Sequence, residues 1–358
     1  MKQSLKILCC TFLMVALLDV LVGQVLGWAA RNDKAGSLVQ YFEYGRSVPG
    51  KLAQWQAGPD IRGNLFETAW RETDVSASKA EFDDESADLG PVIRSYGMSF
   101  VNRILRQAVE LDPNQTWDSH AGPNAPPNYT YAMFEDDREN RRAGDVVVLG
   151  ILSSRVPAMA ALSNRSWSFE QPAPFTYPVY IPEGGELTRI DPIVTSAAQE
   201  RGLAQDPKIA RAWRDQQRTH DAFYSWRTHG ATWLDRSPFM RLVRRSAMSS
   251  HLNETETDII QANSYPYREA LHIMIESFAA TVRLDDQRPV VMLVQSREQA
   301  DVDLLALAKP ILDANNIPYF ATAEHFDPRQ QSGFLADGHY QPTIDRAFGE
   351  QFLKLIAK

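Results

Sequence analysis

The chain predicts an α/β fold with helices on both faces of a parallel sheet, and three stretches carry that prediction. "GDVVVLGILSS" at 144–154 is an unbroken β-branched and leucine run opened by Gly-Asp, the pattern of a strand buried on both faces. "RPVVMLVQS" at 288–296 repeats it, and "NNIPYFATA" at 315–323 is a weaker third version. Amphipathic stretches alternate with these runs: "ADVDLLALAKPILDAN" lies between the last two and "TIDRAFGEQFLKLIAK" closes the chain. Such alternation folds as a parallel sheet covered on both sides.

Taken in order, residues 1–30 read as a targeting segment. Lys2 and Lys6 precede an apolar stretch from Ile7 to Leu18 that resumes after Asp19 and Gln24, the pattern of a secretory signal peptide or of an uncleaved signal anchor spanning residues 5–29. "VLG" at 25–27 is a poor match to a small-residue cleavage site, whereas Asp19 in mid-span is unfavourable for a retained helix unless it finds a partner. Both cysteines, Cys9 and Cys10, fall inside this segment, so the remainder has neither a disulfide nor a zinc-thiolate site. That combination suits a periplasmic or cell-surface location, with attachment to the inner membrane if the segment is kept.

Residues 31–90 read as an N-terminal extension packed on the core. "YFEYGRSVPGKLAQW" is expected as a helix running into a turn at Pro49-Gly50, and "EFDDESADLG" as a solvated loop. The core then begins with an apolar run at Pro91 and extends to 156; 157–285 is expected as an insertion, and 286–358 as the second part of the core. The insertion holds a proline-rich extended part, Gln171 to Pro192, and a helical part rich in Arg, Trp and His. With 358 residues, 44% hydrophobic and a net charge of −8, the chain can bury a large core, and its acidic balance does not favour a nucleic-acid partner, whose phosphates attract clustered cations.

Ligands of open α/β sheets bind outside the carboxyl ends of the strands, and three segments reach that edge. The first is "RSYGMSF" at 94–100, where Ser99 is either an exposed nucleophile or a helix cap. The second is Ser153-Ser154-Arg155 after the 145–152 strand. The third is "ADGHYQP" at 336–342, where Asp337 and His339 sit either side of a glycine that permits a sharp turn. A serine hydroxyl needs an imidazole to take its proton, and the imidazole needs an acceptor that fixes its tautomer. His120, His220, His229, His251, His272 and His325 show no metal-ligating cadence, and neither metal nor cofactor is expected.

These segments resemble the SGNH/GDSL hydrolase superfamily. "YGMSF" stands where that family has its nucleophile block, "DVVVL" where its third-block strand runs, and "DGHYQP" where its Asp/His block precedes the last helix. The resemblance covers 91–155 and 288–356. It implies a flavodoxin-like three-layer sandwich with an inserted helical and extended region, and acyl transfer through Ser99 with His339 as general base and Asp337 orienting it. It also implies an oxyanion hole from the Ser99 and Gly122 backbone N–H groups and the Ser154 side chain, the last standing where the family has asparagine. Asn124, Asn128 and Arg155 are further candidates for oxyanion or substrate contact. The spacing is Asp-x-His instead of the commoner Asp-x-x-His, a variant associated with exopolysaccharide-modifying relatives; Glu324 or Asp327 would orient His339 if the tighter spacing prevented its contact with Asp337.

The expected function is therefore that of an exported serine esterase or O-acetyltransferase acting on acyl, chiefly acetyl, esters of a polysaccharide, working beside other envelope polysaccharide-assembly proteins. The rival expectation is a non-catalytic polysaccharide-binding or assembly protein on a degenerate form of the same fold. A lipid-directed esterase is disfavoured by the absence of a long apolar lid segment.

Overall fold

The computed structural model describes residues 2–32, 34, 47–57, 70–71, 90–122, 125–170, 172–230, 232–261, 264–297 and 302–357. The acidic stretch at 81–89, expected as a loop, lies outside them, as do most of residues 31–90. The chain divides into two compact units, the first from 1–66, 163–175 and 223–255, the second from 67–162, 176–222 and 256–358.

The second unit is an α/β domain on a five-stranded parallel sheet. Its strands are β1 (Val92–Gly97), β2 (Thr116–Ala121), β3 (Val146–Leu152), β6 (Arg288–Val294) and β7 (Tyr319–Ala321), in the order β2-β1-β3-β6-β7. Counted along the sheet's own chain order this is 2-1-3-4-5, one of the two common doubly wound orders. β1 and β3 are buried along their whole length; β3 is the unbroken apolar run that such burial favours, whereas β1 carries Arg94 and Ser95 inside it. The chain winds outward from β1 to β2 on one side, and from β3 to β6 and β7 on the other. The crevice between the carboxyl ends of β1 and β3 is therefore the switch point at which such sheets bind ligands.

Helices α3 (Ser99–Leu111) and α9 (Pro342–Ile356) cover one face, with Phe348 of α9 5.7 Å from Phe320 of β7. Helices α4 (Pro127–Asp136) and α7 (Tyr267–Leu284) cover the other, where Phe134 meets Tyr96 of β1 at 5.8 Å and Phe278 of α7 at 4.9 Å. α7 falls inside the stretch expected as an insertion, yet it is the layer helix that precedes β6. β4 (Val179–Glu183) and β5 (Glu186–Ile190) form a separate antiparallel hairpin, turned by Gly184 and Gly185 at positive φ.

Three glycines let α3 approach its neighbours. A Cβ built on Gly150 of β3 would lie 2.4 Å from Val101 Cγ2, and one on Gly97 would lie 2.9 Å from Val101 Cβ, so Val101 sinks between two strands that carry no side chain there. On the far side, a Cβ on Gly349 of α9 would meet the Ala108 backbone nitrogen at 2.8 Å.

The face opposite α3 carries buried charge. Arg94 of β1, with no exposed surface, donates through Nε to Asp145 at 2.8 Å and through Nη1 to Asp118 at 2.7 Å. Asp145 also accepts the Val92 and Arg142 N–H groups, so the carboxylate is satisfied from several directions. His120 Nε2 lies 3.1 Å from Asp118 and 3.3 Å from Asp137, and Tyr96 donates to Asp137. This network ties both strands to the turn after α4.

The first unit has a small core of its own, Val48, Leu52, Phe169 and Met248, with Leu252 against it. Its helix α2 (Val48–Ala57) begins where the sequence predicts a helix to end: Pro49 and Gly50 occupy the first turn, in which proline's missing N–H costs nothing. Lys51 on α2 donates to the Phe169 carbonyl.

Gly150→Ala is expected to lower the unfolding free energy by about 1–3 kcal/mol through overpacking. Adding Val101→Ala should restore part of the loss in urea titration of the double variant. A Gly150→Ala protein as stable as the parent would contradict this seating of α3.

Candidate functional site

Ser99 is placed by the end of β1. Gly97 ends the strand, Met98 continues extended with φ −141° and ψ −179°, and Ser99 opens α3. Met98, and not Ser99, occupies the N-cap position, so the serine is free of a capping role. Its side chain is exposed and Oγ lies 2.7 Å from His339 Nε2, across 240 residues of sequence. As at any helix start, the Ser99 and Phe100 N–H groups have no intrahelical acceptor, and the positive end of the helix dipole faces the same side.

His339 sits on a tight loop. Phe334 and Tyr340 bridge across it, the Leu335 N–H donates to the His339 carbonyl at 2.7 Å, and Gly338 turns the chain at φ +89°. The buried Tyr340 hydroxyl donates to the Gln295 carbonyl just beyond β6 and lies 3.1 Å from Thr322 Oγ1 just beyond β7. Phe100 stacks on the imidazole at 4.4 Å and 30°.

Asp337 Oδ1 accepts the His339 backbone N–H at 3.1 Å, and Oδ2 lies 3.1 Å from Nδ1. That second contact is at ion-pair distance without hydrogen-bond alignment, since Nδ1 has no partner of good geometry. The backbone N–H holds the Asp337 carboxyl below its ordinary range, so it is ionised at neutral pH. A carboxylate beside Nδ1 favours the tautomer with its proton there, which leaves Nε2 to accept from Ser99. Glu324 instead takes the Tyr319 hydroxyl at 3.4 Å, and Asp327 pairs with Arg329 at 2.9 Å. The tighter Asp-x-His spacing therefore does not keep Asp337 from the ring.

The other expected residues are dispersed. Ser154 and Arg155 lie half-buried at the carboxyl end of β3, with Arg155 Nη1 donating to the Ser154 carbonyl at 3.1 Å. The Gly122 N–H donates to the Gly97 carbonyl at 3.2 Å, so it is engaged instead of open to an oxyanion. A Cβ on Gly122 would meet the Tyr129 ring at 2.3 Å, which gives that glycine a packing role. Asn128 is fully buried, its amide nitrogen directed at the carbonyls of Met159, Ala161 and Pro178, the last at 2.7 Å. Asn124 lies outside the described residues.

Two residues that sequence reasoning missed hold the pair together. Arg103, one turn after Ser99 on α3, donates through Nε to Asp345 at 2.8 Å and through Nη2 to the Tyr340 carbonyl at 3.1 Å. The helix carrying the serine is thus bonded to the residue after the histidine. The available signal was Arg103 at i+4 from Ser99, with a carboxylate in the first turn of the last helix.

Among the described residues, Asp118, His120 and Asp137 offer three ligand atoms within 4.8 Å of one another. The Asp118 oxygen concerned already accepts from Arg94, and that of Asp137 from Tyr96. A cation there would face the arginine, so the set fits an ion network better than a metal centre.

Comparison of the chain with protein-family models, with curated proteins and with solved structures returns no match.

Burial pushes the Asp345 carboxyl above its ordinary value, and Arg103 opposes that rise. A raised folded-state value means that folding favours the protonated acid, so this contribution is full below the unfolded value of about 3.9 and is lost as pH rises through the folded value. Arg103→Gln should therefore destabilise the protein by about 1.5–3 kcal/mol near neutral pH, the range for hydrogen bonds to charged groups. The loss should shrink near about pH 4, where Asp345 is protonated more readily. Equal losses at both pH values in denaturant titrations would contradict the pairing.

Proposed function

Ser99 and His339, we propose, are the nucleophile and general base of an SGNH-like serine esterase or O-acyltransferase. The observation that carries this reading is the 2.7 Å contact between an exposed serine hydroxyl and an imidazole with a carboxylate beside its other nitrogen. Its position at the switch point of a doubly wound sheet supports the same conclusion.

In this mechanism Ser99 Oγ attacks the acyl carbon while its proton passes to His339 Nε2. The carbonyl π electrons move onto oxygen, which accepts hydrogen bonds from the N–H groups at the start of α3. Collapse expels the alcohol oxygen, which takes the proton from His339, and leaves the acyl group on Ser99. Water or a second hydroxyl then attacks the acyl-enzyme, giving up its proton to His339, and collapse of this second adduct expels the Ser99 oxygen, which takes that proton back from His339. Asp337 stabilises the imidazolium in both halves. Phe100 limits the ring's rotation, and Arg103 acts as a positioning residue.

The substrate class is an acyl ester, chiefly acetyl, on an extracytoplasmic polysaccharide. An N-terminal helix with the length and apolarity to cross a membrane suits that location, as signal or anchor. A second reading, a glycan-binding or assembly protein without turnover, is favoured by two observations: the Gly122 N–H is engaged by Gly97, and the Asn128 amide is directed away into backbone carbonyls.

The test is release of acetate from 4-nitrophenyl acetate and from an O-acetylated oligosaccharide by the full chain in detergent. Ser99→Ala should abolish turnover, and His339→Ala should reduce it by about 10²–10⁴-fold. Asp337→Asn should cost less, because the carboxylate is 63% exposed and imperfectly aligned. Unchanged turnover in Ser99→Ala would overturn the mechanism, whereas glycan binding without turnover of any ester would favour the second reading.

A further inference from the structure

The N-terminal helix α1 (Lys2–Arg31) is exposed all round from Gln3 to Leu18. From Asp19 onward one side is partly covered: Asp19, Val22, Gly23, Leu26, Gly27, Ala29 and Ala30, most of them three or four residues apart. At Asp19 and Gly23 the covering element is the start of α6 (Pro238–Ile260). Asp19 Oδ1 accepts the Ser237 hydroxyl at 2.5 Å and the Phe239 N–H at 2.8 Å, and a Cβ on Gly23 would lie 3.2 Å from Pro238 Cγ. The mid-span carboxylate therefore has partners, and these would be lost if the helix were cleaved away.

Length then fixes where the bilayer ends. The uncovered part, residues 3–18, extends about 24 Å at about 1.5 Å per residue. The hydrocarbon core is about 30 Å thick and needs about 20 residues. A spanning α1 must therefore bring the stretch after Asp19 to the membrane edge, and with it the segment docked there, Ser237–Phe239. The flanking chain has the composition of an interface. Trp226 is 67% and Trp233 79% exposed, unusual for residues of that size. Residues 226–248 carry five arginines against a single carboxylate, Asp235, in a chain of net charge −8. Asp235 is already paired with Arg244 at 2.8 Å, while Arg227 and Arg236 are exposed. Trp226, Leu234, Met240, Val243 and Met248 also line a shallow groove of about 220 Å³.

We propose that residues 226–248 form a second, peripheral membrane contact, a tryptophan and arginine face lying on an anionic lipid surface beside the α1 span. Tryptophan rings sit at the headgroup level with their apolar bodies inward, and arginines reach the lipid phosphates. Basic residues near an anionic surface add attraction that salt screens. This inference is independent of the ester chemistry at Ser99.

The test uses the full chain in nanodiscs of phosphatidylcholine mixed with phosphatidylglycerol, with some lipids brominated near the headgroup end of their acyl chains. Tryptophan emission from the parent should be quenched, and W226F/W233F should lose a large part of the quenchable emission while keeping its apolar rings. W28F, on α1, reports the quenching that arises from the span alone. R227Q/R236Q should weaken quenching in the mixed lipid and leave it unchanged in phosphatidylcholine alone. Equal quenching of the parent and W226F/W233F would overturn the proposal. So would protection of Trp226 and Trp233 from soluble acrylamide by an added oligosaccharide but not by bilayer, which would mark the face as a glycan platform.

Discussion

The geometry of the site depends on how closely α3 lies on its neighbours. Val101 occupies space that side chains at Gly97 and Gly150 would fill, and Gly349 admits the Ala108 backbone on the other side. The helix is held between the sheet and α9, which fixes the direction in which its first residue projects. The chain that enters α9 is the loop carrying His339, so the helix contact that packs the core also brings Ser99 and His339 together. Arg103 adds a polar bond to the same junction, from α3 to Asp345 and to the Tyr340 carbonyl. Packing and polar pairing act on one pair of elements, and it is this agreement between levels that lets a 2.7 Å contact form across 240 residues.

Electrostatically the site is uneven. The Ser99–His339 contact has good length, while Asp337 is exposed and serves the histidine first through its backbone N–H. In water an exposed carboxylate is well solvated, so its attraction to the imidazolium is weaker than that of a buried aspartate. Buried charge lies instead on the other face of the sheet, where Arg94 joins Asp118 and Asp145. That network orders the strands and lies apart from the accessible edge that carries Ser99.

The sheet was legible where strands are buried on both faces. β3 and β6 announce themselves as apolar runs and β7 as a shorter one, whereas β1 shows only Pro91, Val92 and Ile93 before Arg94 and Ser95 interrupt it. β2 was not legible: "TWDSHA" is polar because this edge strand is only partly buried and because Asp118 and His120 are balanced by Arg94 and Asp137, which sequence order does not reveal. Ser99, Asp337 and His339 were readable because glycines and strand ends mark them. The partners of Gly122 and Asn128 were not, since a backbone N–H and a buried amide are committed by tertiary contacts alone. The stretch 157–285 reads as one insertion, yet 163–175 and 223–255 fall in the first unit and the rest in the second, where α7 carries the apolar stripe of a layer helix.

The two units also separate two physical tasks. The α/β unit holds an accessible serine at a sheet edge, and the other carries α1 with Ser237–Phe239, part of the tryptophan and arginine segment, docked on it. The central claim concerns the serine, and the most direct measurement is the intact mass of the full chain after exposure to a serine-directed sulfonyl fluoride. A hydroxyl activated by His339 should yield one adduct on the parent, mapped to Ser99, and none on His339→Ala. An adduct formed equally on His339→Ala, or one mapped to another serine, would contradict the claim that this pair forms an activated nucleophile.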